Sequence, residues 1–170
     1  MLIILGGLPG SGKTTLARGL AARIGAVHVK VDTIEQAIRN SGIGDVGPAG
    51  YVVAYAIAAD NLAANRVVVA DSVNAIEISR KAWQAVAARN GVRAIQVEVT
   101  CSDPREHRFR VETRETDVEG LIKPSWQAVT NRTWEDWDDS TVVIDTAGKN
   151  VSEVVEEVLM ALQDHFPGRF

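Results

Sequence analysis

Residues Gly7-Leu8-Pro9-Gly10-Ser11-Gly12-Lys13-Thr14 match the pattern G-x-x-x-x-G-K-[ST], and no other feature of the chain restricts its fold as tightly. The apolar run Leu2–Leu5 precedes this pattern, and a helical pattern runs from Lys13 to Ile24. A glycine-rich turn between a strand and a helix can curl around a phosphate and aim backbone N–H groups at its oxygens. The helix start adds a field that favours negative charge. In that setting Lys13 reaches the β- and γ-phosphates of a nucleoside triphosphate, and the Thr14 hydroxyl ligates Mg²⁺. Gly7, Pro9, Gly10, Ser11, Gly12 and Thr15 complete the candidate phosphate loop. Gly10-Ser11-Gly12 is followed by Lys13-Thr14-Thr15, so the dinucleotide fingerprint G-x-G-x-x-G fails.

Four more short apolar runs, Val27–Val31, Val67–Ala70, Ala94–Val99 and Val142–Ile144, are rich in Val and Ile and lack clean alternation. That composition marks strands covered on both faces. Helical patterns separate them: Thr33–Arg39, Ala49–Asn65, Ile76–Asn90 with a stop at Gly91, Pro104–Arg114, Ser125–Trp137 after Pro124, and Val151–Phe166 ended by Pro167-Gly168. Strand and helix alternating over residues 1–170 predict one doubly wound α/β domain. A chain of 170 residues buries a sizeable core without staples, and its single cysteine, Cys101, excludes an internal disulfide and reads as a buried apolar residue. The glycine-rich stretch 41–48 is a helix connection or a substrate-contacting loop. The net charge of −4 argues against a dedicated nucleic-acid binder and leaves a nucleotide substrate open. The opening apolar run is too short for a leader peptide, and no run of about 18 apolar residues offers a membrane span. A cytoplasmic chain is the expectation.

Acidic residues stand where ligands of open α/β sheets bind, beyond the carboxyl ends of strands. Asp32 follows the second run and either takes a proton from an acceptor hydroxyl or caps the helix Thr33–Arg39. Asp71 follows the third run and either faces the metal, directly or through water, or closes a turn. Asn74 reads as a turn residue. Residues 105–114 contain Arg105, Arg108, Arg110 and Arg114, and a helix puts Arg110 and Arg114 on one face. Such arginines either neutralise a transferring phosphate or pair with Glu106, Glu112 and Glu115 on a solvated face. His28, His107 and His165 have no zinc spacing and read as packing or surface residues. Trp126, Trp134 and Trp137 fit one packed helical stripe, and Glu135, Asp136, Asp138 and Asp139 a solvated acidic end.

These motifs resemble the small P-loop kinases, and within them the AAA-domain predicted-kinase family similar to chloramphenicol phosphotransferase and the kinase domain of polynucleotide kinase. The resemblance rests on residues 6–15, Val-Asp-Thr-Ile-Glu-Gln-Ala-Ile at 31–38, Asp-Ser-Val-Asn at 71–74, Cys-Ser-Asp-Pro-Arg-Glu-His-Arg at 101–108, Arg-Val-Glu-Thr-Arg at 110–114 and Ile-Asp-Thr-Ala-Gly-Lys at 144–149. It implies a P-loop NTPase fold: a five-stranded parallel sheet of order 2-3-1-4-5, helices on both faces and a short lid near 110–124. It also implies ATP and Mg²⁺ as cofactors, Asp32 as the base for an acceptor hydroxyl, Asp71 near the metal, Arg110 on the adenine, Arg114 on the transferring phosphate, and Gly148 and Lys149 over the other adenine face. Polynucleotide kinases carry an arginine three residues after the catalytic aspartate; Glu35 stands there in this chain, against a nucleic-acid acceptor. The implied activity is transfer of the γ-phosphate to a hydroxyl of a small molecule, by a monomer or homodimer. The alternatives are an ATP-driven switch without a small acceptor, or a nucleotide or polynucleotide kinase.

Overall fold

A computed structural model of the chain describes residues 1–115, 118–138 and 141–165. Within them, β1 (Leu2–Gly6), β2 (Val27–Lys30), β3 (Val68–Asp71), β4 (Ala94–Thr100) and β5 (Val142–Asp145) form one parallel sheet of order β2-β3-β1-β4-β5. The helices are α1 (Lys13–Ile24), α2 (Val31–Asn40), α3 (Ala49–Ala63), α4 (Glu77–Arg89), α5 (Pro104–Thr113), α6 (Trp126–Thr130) and α7 (Val151–His165). The strand order is the one the resemblance implies, with β1 at the centre.

Strand period 2 explains why both faces of the sheet are apolar. Ile3 and Leu5 of β1 pack with Leu16 and Leu20 of α1 and with Val155, Val158 and Leu162 of α7. Leu2 and Ile4 pack on the other face with Ala54, Ala58 and Leu62 of α3 and with Trp83 and Val86 of α4. The two layers leave the carboxyl ends of the strands free of helix, and the loops there make the site.

Two expectations need correction. β2 ends at Lys30 and α2 begins at Val31, so Asp32 lies in the first turn of the helix and is not its cap. The helix expected over Ser125–Trp137 spans only Trp126–Thr130. Its remainder is irregular and tied to β4 and α4: Trp134 Nε1 donates to Glu98 at 3.1 Å, Arg80 donates to the Asp136 carbonyl at 2.8 Å and lies 4.9 Å from the Trp137 ring centre, and Glu135 accepts from the first amide of α4. The three tryptophans therefore form no single stripe: Trp126 meets His107, whereas Trp134 and Trp137 meet each other. The acidic end is not simply solvated either, since Asp138 accepts from Gln96 at 2.7 Å. Asp139, the end of α7 expected at Phe166, and Pro167-Gly168 lie outside the described residues, as do 116 and 117 of the expected lid.

Candidate active site

The loop between β1 and α1 reaches its shape through glycine. Gly10 has φ +86°, and a Cβ there would lie 2.5 Å from Val111 Cγ2 of α5. Neither the conformation nor the space tolerates a side chain. Two neighbours hold the loop from behind. His107 of α5 donates from Nε2 to the Pro9 carbonyl at 2.9 Å, and the Thr146 hydroxyl lies 2.8 Å from the Ser11 carbonyl oxygen. No side chain caps the first turn of α1, and no acidic residue occupies it. Its amides are left to an external anion.

In front of the loop lies a cleft of about 450 Å³. Gly10, Gly12, Lys13, Thr14 and Thr15 of the loop and α1 line it together with Lys30, Asp32, Arg110, Arg114 and Lys149. Lys13 is 7% exposed. Burial lowers its pKa, the charges of Asp71 and Asp32 partly restore it, and those of Arg114 and Arg132 lower it again. The ammonium thus stands among two carboxylates and two guanidinium groups.

Asp71, 2% exposed, sits at the end of β3, paired in register with Lys30 of β2 and Leu5 of β1. Burial alone would raise its pKa. A hydrogen bond from His28, the charge of Lys13 and a hydrogen bond from Thr14 outweigh that and hold it below the usual carboxylate range. An anionic carboxylate beside the Thr14 hydroxyl is a hard oxygen pair that fits Mg²⁺. Among the described residues no group of three or more His, Cys, Asp or Glu could hold a metal alone.

The arginine segment pairs with its own acids and also reaches the cleft. Arg108 pairs with Glu112 on the surface, and Arg110 pairs with Glu106 while its Nη1 donates to Thr146 Oγ1 at 2.7 Å beside the cleft. Arg114 follows the last turn of α5; its carbonyl accepts from Lys123 Nζ at 2.9 Å, and its buried Nε has no hydrogen-bond partner among the described residues. Leu121, within the segment expected as a lid, also lines the cleft.

Of the residues singled out from the sequence, Gly10, Gly12, Lys13, Thr14, Thr15, Asp32, Arg110, Arg114 and Lys149 line this one cleft. Gly7, Pro9 and Ser11 belong to the back of the loop, and Asp71 stands behind Thr14. Gly148 is turned aside, its amide donating to Glu106 at 2.9 Å. Asn74 is more than a turn residue: fully buried at φ +52°, it donates from its side chain to the Leu5 carbonyl at 2.7 Å, below the loop. Cys101 is buried, and burial pushes its thiol pKa up. Sequence reasoning missed His28, Lys30, His107, Thr146 and Arg132. Only β2 carried a signal, because His28 and Lys30 alternate with the core residues Val27 and Val29 and so face α1.

Sheet order and loop together define the P-loop NTPase class of fold. The family model described as "AAA domain" matches residues 2–143, and the chain belongs to that family. Solved structures share the fold at low identity. A gluconokinase from Sinorhizobium meliloti 1021 superposes with TM-score 0.67 at 22% identity, covering 96% of this chain and 91% of that one. Chaetomium thermophilum Kti12 in complex with ADP-AlF3 gives TM-score 0.68 at 22% identity, covering 95% and 98%. The Mycobacterium tuberculosis APS kinase in complex with AMPPNP and APS gives TM-score 0.68 at 14% identity, covering 95% and 96%. No protein among the curated ones matches the sequence.

Proposed function

We propose that the chain is an ATP- and Mg²⁺-dependent phosphotransferase that moves the γ-phosphate to a hydroxyl of a small molecule. The observation that carries this reading is a single cleft lined by the phosphate-loop Lys13, the carboxylate Asp32 and Arg114, both of which act electrostatically on Lys13. A carboxylate there can activate an alcohol or, in an ATPase, water, and a labelled product tells the two apart. Membership of the AAA domain family and folds shared with a gluconokinase and an APS kinase support the reading.

Each side chain then has a task. The loop amides and Lys13 hold the β- and γ-phosphates. Mg²⁺, when bound, neutralises phosphate charge, and Thr14 and Asp71 are the residues that would hold it. Asp32 orients the acceptor hydroxyl and takes its proton as the oxygen bonds to phosphorus and ADP departs. Arg114 meets the negative charge spread over the equatorial oxygens. Arg110 and Lys149 line the same cleft and would meet the base. Glu35, one turn beyond Asp32, has its pKa raised by burial and then by the charge of Asp32. Positioning and electrostatics do most of the work in this chemistry.

The test is a library of small alcohols, screened for ADP release and for labelled product, with Asp32→Asn alongside. The variant should bind ATP as the wild type does and lose transfer by about 10²–10⁴-fold, the usual worth of a general base. ADP release with no labelled acceptor, equal in both proteins, would favour the ATPase alternative.

A further inference from the structure

We propose that His28 is a positioning residue for the metal site: its Nε2–H clamps one oxygen of Asp71, so that the other side of that carboxylate stays turned toward Thr14 and the ion. The inference rests on the nucleotide-site reading above and adds to it a residue that neither the loop pattern nor the family resemblance marked.

The geometry supplies the argument. His28 and Asp71 are 43 residues apart and meet at 3.1 Å through Nε2 and Oδ2. A carboxylate oxygen accepts in such a contact, so Nε2 carries the hydrogen. Strand alternation brings the imidazole there: Val27 and Val29 enter the layer of α3 and α4, and His28 turns to the face covered by α1, the helix that opens with Lys13 and Thr14. β2 is already tied to β3 by four register pairs, so a hydrogen bond is not needed to hold the edge strand in place. What the bond does fix is the rotation of a nearly fully buried carboxylate. Thr14 hydrogen-bonds to the same group, so His28 and Thr14 approach Asp71 together and leave it one orientation. Groups that orient metal-facing ligands in this way typically change metal affinity by 10–100-fold when removed.

The experiment measures binding of a non-hydrolysable ATP analogue as Mg²⁺ is raised, and Mn²⁺ binding by electron paramagnetic resonance, in wild type, His28→Ala, His28→Gln and His28→Asn. Gln places an amide N–H close to where Nε2–H stood; Asn does not reach. His28→Ala and His28→Asn should raise the metal concentration at half-saturation about tenfold or more and leave analogue affinity without metal unchanged, with Gln within about threefold of wild type. Having two variants that lose the bond covers the case in which one fails to fold. In an Asp71→Asn background the His28→Ala effect should vanish. A half-saturation unmoved by Ala and Asn, or Gln as damaging as Ala, overturns the proposal. Wild type that binds no nucleotide at any metal concentration overturns instead the reading on which it rests.

Discussion

Gly10 and Trp83 show at the level of single side chains what this fold will not tolerate. At Gly10 a methyl group meets both a left-handed backbone, which costs a non-glycine residue about 1–2 kcal/mol, and Val111 at 2.5 Å. Gly10→Ala should lower the melting temperature and weaken ATP binding at the same time, read by thermal melts with and without nucleotide; unchanged affinity would mean the loop can reshape. Trp83 is fully buried, with Tyr55 edge-on at 4.6 Å between ring centres. Its truncation leaves a large cavity far from the phosphates. Trp83→Ala should cost about 3–5 kcal/mol in urea unfolding. Lys13→Ala is the opposite case: it should abolish nucleotide binding and leave the fold in place, checked by circular dichroism beside a binding assay.

Elements meet at the strand ends, and Asp145 ties two of their loops together. Its carboxylate accepts from the Ser102 amide at 2.9 Å and the Ala147 amide at 3.1 Å, and also from the Ser102 hydroxyl, joining the turn after β4 to the turn after β5. Burial by itself would raise its pKa; the bonds from Ser102 and Ala147 and the charge of Lys149 outweigh it, and the pKa is lowered. A carboxylate more acidic in the folded state adds stability above its unfolded pKa of 3.8 and loses it as pH falls through the folded value. Asp145→Asn should therefore melt below wild type at neutral pH, and the gap should close as the pH drops below about 3.8; a gap constant down to pH 2 would contradict this. The elements themselves were largely legible in the sequence. Helix α1 spans Lys13–Ile24 as its pattern indicates, because apolar periodicity and a glycine on each side agree. The stretch after Thr130 was not legible: Trp134, Trp137 and Asp136 find partners on Glu98 and Arg80, and tertiary contacts of that kind leave no local pattern. The same limit applies to the site. Lys13 and Thr14 announce themselves by spacing, whereas His28 meets Asp71 only because β2 and β3 are neighbours in the sheet.

At the scale of the whole molecule the claim is that one sheet, wound in the order β2-β3-β1-β4-β5, brings the loop after β1, Asp32 after β2, and Arg110 and Arg114 at the end of α5 to one cleft, with Asp71 at the end of β3 behind Thr14. A ligand that binds only the folded state stabilises it, by about 2.7 kcal/mol at a hundredfold excess over the dissociation constant. For a domain of this size that is a rise of about 5–10 °C in melting temperature. The rise should require magnesium and should be absent in Lys13→Ala. Calorimetric titration of the intact chain with magnesium and a non-hydrolysable ATP analogue asks the question most directly. One site per chain, lost in Lys13→Ala, is the predicted result; a titration with no heat of binding, at any temperature tried and with the protein folded, would contradict it.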